Sequence, residues 1–225
     1  MAADPEVELA GERVRLLPER ALFWARASTL LVADAHWGKA AAFRAAGVAV
    51  PGGTTSAGLA RLTRALARTG AERLVFLGDL FHAREGKAPR TLAALRDWRR
   101  SHARVAMTLV RGNHDRRAGD PPAELDIACC DPPCAAPPFV FLHHPAEPPR
   151  GYALAGHLHP SVTLRGRGRQ VERFPCFHFG PRVGVLPAFG DFTGSADVAP
   201  APGDRVFVVA GDEVVEVLAP PRAVP

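Results

Sequence analysis

Apolar positions in the first half of the chain fall into short unbroken runs that end in polar turns, and each run is followed by a stretch with helical spacing. TLLVADAH predicts a buried strand over Leu30 to Ala33, and KAAAFRAAG a short helix stopped by Gly47, which can take the left-handed conformation. The pattern recurs. TTSAGLARLTRALARTG reads as an amphipathic helix opened by Thr or Ser, RLVFLGD as a strand, APRTLAALRDWRRSH as a helix and ARVAMTLVRGNHD as another strand. Strands alternating with helices predict a largely parallel sheet with helices on one face.

After residue 118 the texture changes. GDPPAELDIACCDPPCAAPP carries six prolines and predicts an irregular connector near 119–138. Beyond it, PFVFLHHP, YALAGHLHP, SVTLRGR, QVERFPCF, RVGVLPAFG, DRVFVVAG and DEVVEVLA are short β-type runs separated by Gly and Pro, which predict a second, antiparallel or mixed sheet. Two facing sheets with helices outside give an α/β fold, a four-layer αββα sandwich. Internal repeats are absent, and the Pro-rich stretches at 199–203 and 219–225 are expected to fray or wrap the surface.

Composition narrows this picture. A length of 225 residues suits a single domain over 1–225, and 47% apolar against 23% charged residues allows a buried core and excludes wholesale disorder. The 21 glycines and 22 prolines predict short elements and ordered loops. No apolar run approaches the roughly 20 residues of a membrane helix. The opening MAADPEVELAGERVRL lacks the basic and apolar regions of a secretory signal, so a cytoplasmic protein is expected. Cys129, Cys130, Cys134 and Cys176 show no CxxC spacing and are expected to be reduced thiols. The net charge of +5 favours a polyanionic partner only weakly, since Lys39 and Lys87 are the only lysines among 28 basic residues, a bias that fits a GC-rich genome. Arg165, Arg167, Arg169 and Arg173 form the densest basic stretch and read as a solvated hairpin.

The chemistry lies in where the polar residues fall. Asp34 and His36 follow the first such strand, Asp79 ends the next, and Gly112, Asn113, His114 and Asp115 follow the third. His143, His144, His157 and His159 again follow apolar runs, and with His82 they bring seven of the nine histidines to strand ends. In an α/β sheet that edge is where loops converge and ligands bind. Carboxylates and imidazoles gathered there without a cation would repel one another and leave lone pairs unmet. A metal removes that cost, and a donor set without thiolate suits Mn²⁺, Fe or Zn²⁺, with more ligands than one tetrahedral site uses.

Asp34-Ala35-His36, Gly78-Asp79, Gly112-Asn113-His114-Asp115, His143 and Gly156-His157-Leu158-His159 resemble, in order, the signature of the calcineurin-like metallophosphoesterases. ADAHWGKAAAFRAAGVAVPGG, FLGDLFHA, LVRGNHD, FLHHP, GHLHP, RFPCF and LPAFGDFTG are similar to a narrower group, the bacterial ligase-associated DNA damage response endonucleases called PdeM. RFPCF and LPAFGDFTG carry no evident catalytic chemistry and read as core strands and turns.

The family resemblance implies the αββα sandwich and two divalent ions, with Mn the leading expectation and Fe, Zn or Mg the alternatives. One ion would be held by Asp34, His36, Asp79 and His159, the other by Asp79, Asn113, His143 and His157, with Asp79 bridging ions about 3.5 to 4 Å apart. His143 is chosen over the adjacent His144. The implied reaction is phosphodiester hydrolysis by a metal-activated hydroxide, with His114 protonating the leaving oxygen and Asp115 either orienting His114 or capping a turn. His82 would touch the site or lie behind it, and Lys39 and Arg44 would meet phosphate or stay solvated. Nucleic acid is the implied substrate, with a DNA ligase and a helicase as associates and no membrane. A small-molecule phosphatase, a cyclic-nucleotide phosphodiesterase and a metal-free scaffold are the competing readings.

Overall fold

A period of two in EVEL and ERVRLL folds β1 (Glu6–Leu9) and β2 (Glu12–Leu17) into an antiparallel hairpin with Val7, Leu9, Val14 and Leu16 buried. The computed structural model describes residues 4–50, 53–166, 168, 170–191 and 193–217. The chain continues through β3 (Ala21–Trp24), β4 (Thr29–Val32), α1 (Lys39–Ala45), α2 (Thr54–Thr69), β5 (Arg73–Phe76), α3 (Pro89–Ser101), β6 (Ala106–Val110), α4 (Asn113–Ala118) and β7 (Ile127–Cys130). These strands form one sheet in the order β1-β2-β3-β4-β5-β6-β7, antiparallel up to β4 and parallel from β4 to β7. The N-terminal meander has no counterpart in the sequence reading, because its strands are short and β1 and β2 mix charged with apolar positions.

The second sheet comprises β8 (Cys134–Ala136), β9 (Phe139–Phe141), β10 (Tyr152–Ala155), β11 (Pro160–Arg165), β12 (Val171–Phe179), β13 (Val183–Val185), β14 (Ala196–Asp197), β15 (Arg205–Ala210) and β16 (Glu213–Val217). Its order is β14-β11-β12-β13-β10-β9-β8, with β15 joined to β12 and β16 to β15. Here β9, β10 and β13 run parallel, and β11 and β12 form an antiparallel hairpin.

The expected connector is more ordered than its prolines suggest. β7 and β8 lie within it, because the prolines at 121, 122, 132, 133, 137 and 138 flank both strands and remove no ladder donor from either. Cys130 and Cys134 are disulfide-bonded, which corrects the expectation of four reduced thiols; Cys129 and Cys176 are free. The turn from β7 to β8 sets the two Cα atoms 6.5 Å apart, within disulfide reach, a closeness that CxxxC spacing alone does not reveal.

Alternate side chains of the first sheet enter different layers. Leu30, Val32, Leu74 and Phe76 meet Leu59, Leu62 and Leu66 of α2 and Leu95 of α3. Leu31, Val75 and Val110 point the other way and meet Phe139, Leu154, Phe177 and Phe207 of the second sheet. The protein is an α/β sandwich of two mixed sheets with flanking helices. Among the described residues every α-helix lies before residue 119, and the outer face of the second sheet carries a small cluster around Cys176, Val206 and Val208.

Candidate metal centre

Parallel β4, β5 and β6 end at one edge of the first sheet, and the loops there carry Asp34 and His36, Asp79, and Asn113 and His114. Parallel β9 and β10 bring His143, His157 and His159 to the facing edge of the second sheet. Strand pairing continues into the loops. The N–H groups of Asp34, His36 and Trp37 donate to the carbonyls of Gly78, Asp79 and Leu80 at 3.2, 2.9 and 2.8 Å.

Five residues at this edge have left-handed backbone, Asp34 (φ 54°), His36 (45°), Asp79 (52°), His157 (70°) and His159 (49°). Left-handed geometry costs an L-residue about 1 to 2 kcal/mol, and such strain gathers where function requires it. The motif glycines answer to the same crowding. A Cβ at Gly78 would lie 2.1 Å from His143 Nδ1, and one at Gly112 would lie 2.2 Å from Asp79 Oδ1.

The side chains converge. Ligand atoms of Asp34, Asp79 and His143 lie within 4.8 Å of one another, as do those of Asp34, His36 and His159, and those of His143, His144 and His157. His143 donates from Nδ1 to the Leu77 carbonyl at 3.0 Å, which turns Nε2 toward Asp79 Oδ1 at 3.4 Å and Asn113 Oδ1 at 2.9 Å. His159 does the same through the Gly194 carbonyl at 2.8 Å, leaving Nε2 3.3 Å from Asp34 Oδ1. A backbone carbonyl on one ring nitrogen fixes the tautomer and frees the other nitrogen as a ligand. The His157 ring centroid lies 4.9 Å from that of His143.

Electrostatics favour a cation here. Burial holds the His36 imidazole neutral, with its pKa down to about 2. Burial pushes the Asp79 carboxyl up, but the hydrogen bond and charge of His143 and the His114 N–H outweigh it and hold the pKa at about 2. His143 and His159 are pulled down by burial and raised on balance by Asp79 and Asp34, whose charges call for a positive neighbour. Asp34 Oδ1 and His36 Nδ1 are buried with no hydrogen-bond partner. A divalent ion would meet the orphaned Asp34 Oδ1, and His36 faces Asp79 with its Nε2 at 3.9 Å; ions there would satisfy both carboxylates while leaving the imidazoles neutral, so the residues fit the metal that the donor set implies.

A family model described as calcineurin-like phosphoesterase matches residues 27–212. The chain belongs to the calcineurin-like phosphoesterase family. Among solved structures, the Pseudomonas putida nuclease MPE is similar, at 43% identity over 95% of this chain and 100% of its own, with a TM-score of 0.84. Yfce, a phosphoesterase from E. coli, aligns at 16% identity over 85% of this chain and 99% of its own, with a TM-score of 0.43, too low to carry an argument. No curated protein matches the sequence.

In this phosphoesterase the remaining expected residues separate. Asp115 does not orient His114. Its carboxylate accepts the N–H groups of Asp79, Leu80 and Gly112 at 2.7, 2.9 and 2.8 Å, tying the GD loop to the start of α4. His114 is oriented instead by the His82 carbonyl, which accepts from its Nδ1 at 2.6 Å. The His82 ring stacks on that of His114 with centroids 5.0 Å apart and meets His36 edge-on at 5.4 Å, so His82 does touch the site. Lys39 lies over the Phe43 ring at 5.6 Å, and Phe43 in turn meets His82 at 5.5 Å. Arg44 is exposed and reaches the Val50 carbonyl at 3.4 Å, away from the cluster. His144 is exposed and lies against the His157 ring at 3.8 Å, whereas His143 is fully buried.

Sequence reasoning passed over Asp191. It accepts from both Arg20 and Arg61, while the N–H groups of Phe189 and Gly190 donate to the carbonyls of Ala33 and Asp34 at 2.8 and 3.0 Å. LPAFGDFTG therefore braces the Asp34 loop, and the acidic residue within that motif was the available signal.

Proposed function

We propose that this phosphoesterase hydrolyses phosphodiester bonds of nucleic acid with two divalent ions, Mn²⁺ foremost. The observation that carries the reading is the cluster itself, two carboxylates, an amide and four imidazoles drawn from both sheets, with Asp34 Oδ1 buried and unpartnered. Asp34, His36, Asp79 and His159 would hold one ion and Asp79, Asn113, His143 and His157 the other. When bound, the ions supply the charge that draws in an anionic phosphoester and lower the pKa of water toward about 7. The Leu77 and Gly194 carbonyls keep His143 and His159 in the tautomer that presents Nε2. His114, with Nδ1 committed to the His82 carbonyl, would deliver a proton from Nε2 to the leaving oxygen.

The 43% identity with a nuclease supports nucleic acid as the substrate class. The resemblance to the ligase-associated group supports a cytoplasmic role in DNA end processing, with a ligase and a helicase as functional associates. The test is one panel under a single Mn²⁺ condition, comprising plasmid, linear and single-stranded DNA, RNA, cyclic nucleotides, an aryl diester and an aryl monoester. DNA cleavage and diester turnover are expected, with both abolished in Asp79→Asn. A preference for monoesters or cyclic nucleotides over DNA would overturn the nucleic-acid reading, and a metal-loaded protein without any turnover would overturn the hydrolase reading.

A further inference from the structure

β11 begins at Pro160, directly after His159, so the β11–β12 hairpin extends outward from the cluster. Cross-strand pairs Ser161 with Pro175, Thr163 with Arg173 and Arg165 with Val171 place these six side chains on one face, because side chains alternate along a strand. The opposite face carries Val162, Phe174 and Cys176, which are packed in the apolar cluster behind the sheet. The first face looks into a cavity of about 210 Å³ whose lining includes Arg20, His159, Ser161, Arg173, Asp191 and Thr193. A residue of the candidate metal centre thus shares a wall with arginines and hydroxyls.

Charge along this face is biased toward cations. Arg20 and Arg61 share the single carboxylate of Asp191. Arg173 pairs with Asp197 at 3.1 Å, and that carboxylate is also held by Ser161 and Thr163. Arg165 is exposed and has no carboxylate partner among the described residues. At about 3.3 Å per residue, β11 carries Arg165 on the order of 20 Å from His159. The sequence continues with Arg167 and Arg169.

We propose that this face is the track for one strand of a nucleic acid, binding the phosphates that flank the scissile bond through Arg173 and Arg165. The inference deepens the nucleic-acid reading and rests on it. Stacking offers little alternative, since Trp24, Trp37 and Tyr152 are buried, half-buried Trp98 is committed to Thr63 and the His102 ring, and none of the exposed large apolar side chains among the described residues is aromatic. Affinity must then come from backbone charge, which single strands report as a salt dependence of about 0.7 per phosphate contact.

The test compares the unaltered protein, the double variant Arg165→Ala with Arg173→Ala, the single exposed variant Arg165→Glu, and Arg64→Ala on α2 as a control. Binding of labelled single-stranded DNA and RNA oligonucleotides of equal length is followed by anisotropy across a salt series, alongside Mn²⁺-dependent turnover of an oligonucleotide and of bis(4-nitrophenyl) phosphate. The double variant is expected to bind roughly tenfold more weakly, with a log K against log salt slope shallower by about 1.4. Its ratio of oligonucleotide to small-diester kcat/KM falls by a similar factor, and Arg165→Glu shows a loss of the same sign should the double variant fold poorly. Equal losses for DNA and RNA mean that the backbone alone is read, and a larger loss for one names the preferred strand; both support the track. Wild-type affinity and slope in the double variant and in Arg165→Glu would overturn the track and leave the nucleic-acid reading intact, as would equal loss of small-diester turnover, which would assign the arginines to the reacting centre. If the unaltered protein turns over the small diester but neither binds nor cuts either oligonucleotide, the nucleic-acid reading falls and the track with it.

Discussion

His36 has φ at 45° while its imidazole is buried and Nδ1 meets no hydrogen-bond partner. Those two costs separate experimentally. In metal-free protein, His36→Gly should be more stable than His36→Ala by about 1 kcal/mol, because glycine accepts the left-handed region without penalty. Urea denaturation of both variants checks this, and equal midpoints would mean that the backbone there carries no strain. At this scale the sequence was legible wherever an acid, amide or imidazole followed an apolar run, as with Asp34, Asp79 and Asn113. For Asp115 the sequence offered the cap that the Gly112 N–H completes, but not the tie to the GD loop, which is fixed by the N–H groups of Asp79 and Leu80, 36 and 35 positions away. No spacing rule tells a carboxylate that orients a ring from one that ties two loops.

Helix α4 spans only six residues, Asn113–Ala118, and carries Asn113 and His114 in its first turn. So short a helix has little stability of its own, and its far end is held from outside. Lys87 Nζ donates to the carbonyls of Ala118, Gly119 and Asp120 at 2.7, 2.9 and 2.8 Å, a cation placed at the negative end of the helix. Lys87→Ala should lower stability by about 1 to 2 kcal/mol and reduce kcat more than KM, since it loosens the element presenting Asn113 and His114 and leaves the arginine-lined face untouched. Thermal denaturation with steady-state kinetics checks it; unchanged kcat would show that α4 holds its place unaided. Elements with long apolar runs, such as β5, β6 and the amphipathic α2, were evident from periodicity. β7 and β8 were hidden between proline pairs, β1 and β2 by their brevity and charges, and β3 by its four-residue length. Those strands depend on neighbours supplied by the rest of the sheet, which local pattern does not show.

Both sheets contribute to one apolar layer, with Leu31 and Val75 from the first against Phe139, Phe177 and Phe207 from the second. The candidate ligands divide the same way, so bound ions would join the sheets at one edge as the apolar layer joins them at their faces. Removing the metal should lower Tm. At an ion concentration of 100 times Kd, binding adds about 2.7 kcal/mol, which for a chain of this size corresponds to roughly 5 to 10 °C. Scanning calorimetry before and after chelation should show one transition that shifts downward. Two separate transitions, or no shift, would contradict the coupling. The two-sheet arrangement was legible because strand texture changes after residue 118, whereas Asp191 drawing Arg20 and Arg61 together was not, since it depends on contacts across more than 120 positions.

The order in which those ligands occur along the chain matters during synthesis. Asp34, His36, Asp79 and Asn113 leave the ribosome first, whereas His143, His157 and His159 are made only with the second sheet. A growing polypeptide would therefore lack three of its seven candidate ligands until the second sheet is made. On the nucleic-acid reading proposed above, the protein would have no complete ion cage, and so no cleaving activity, before the second sheet emerges.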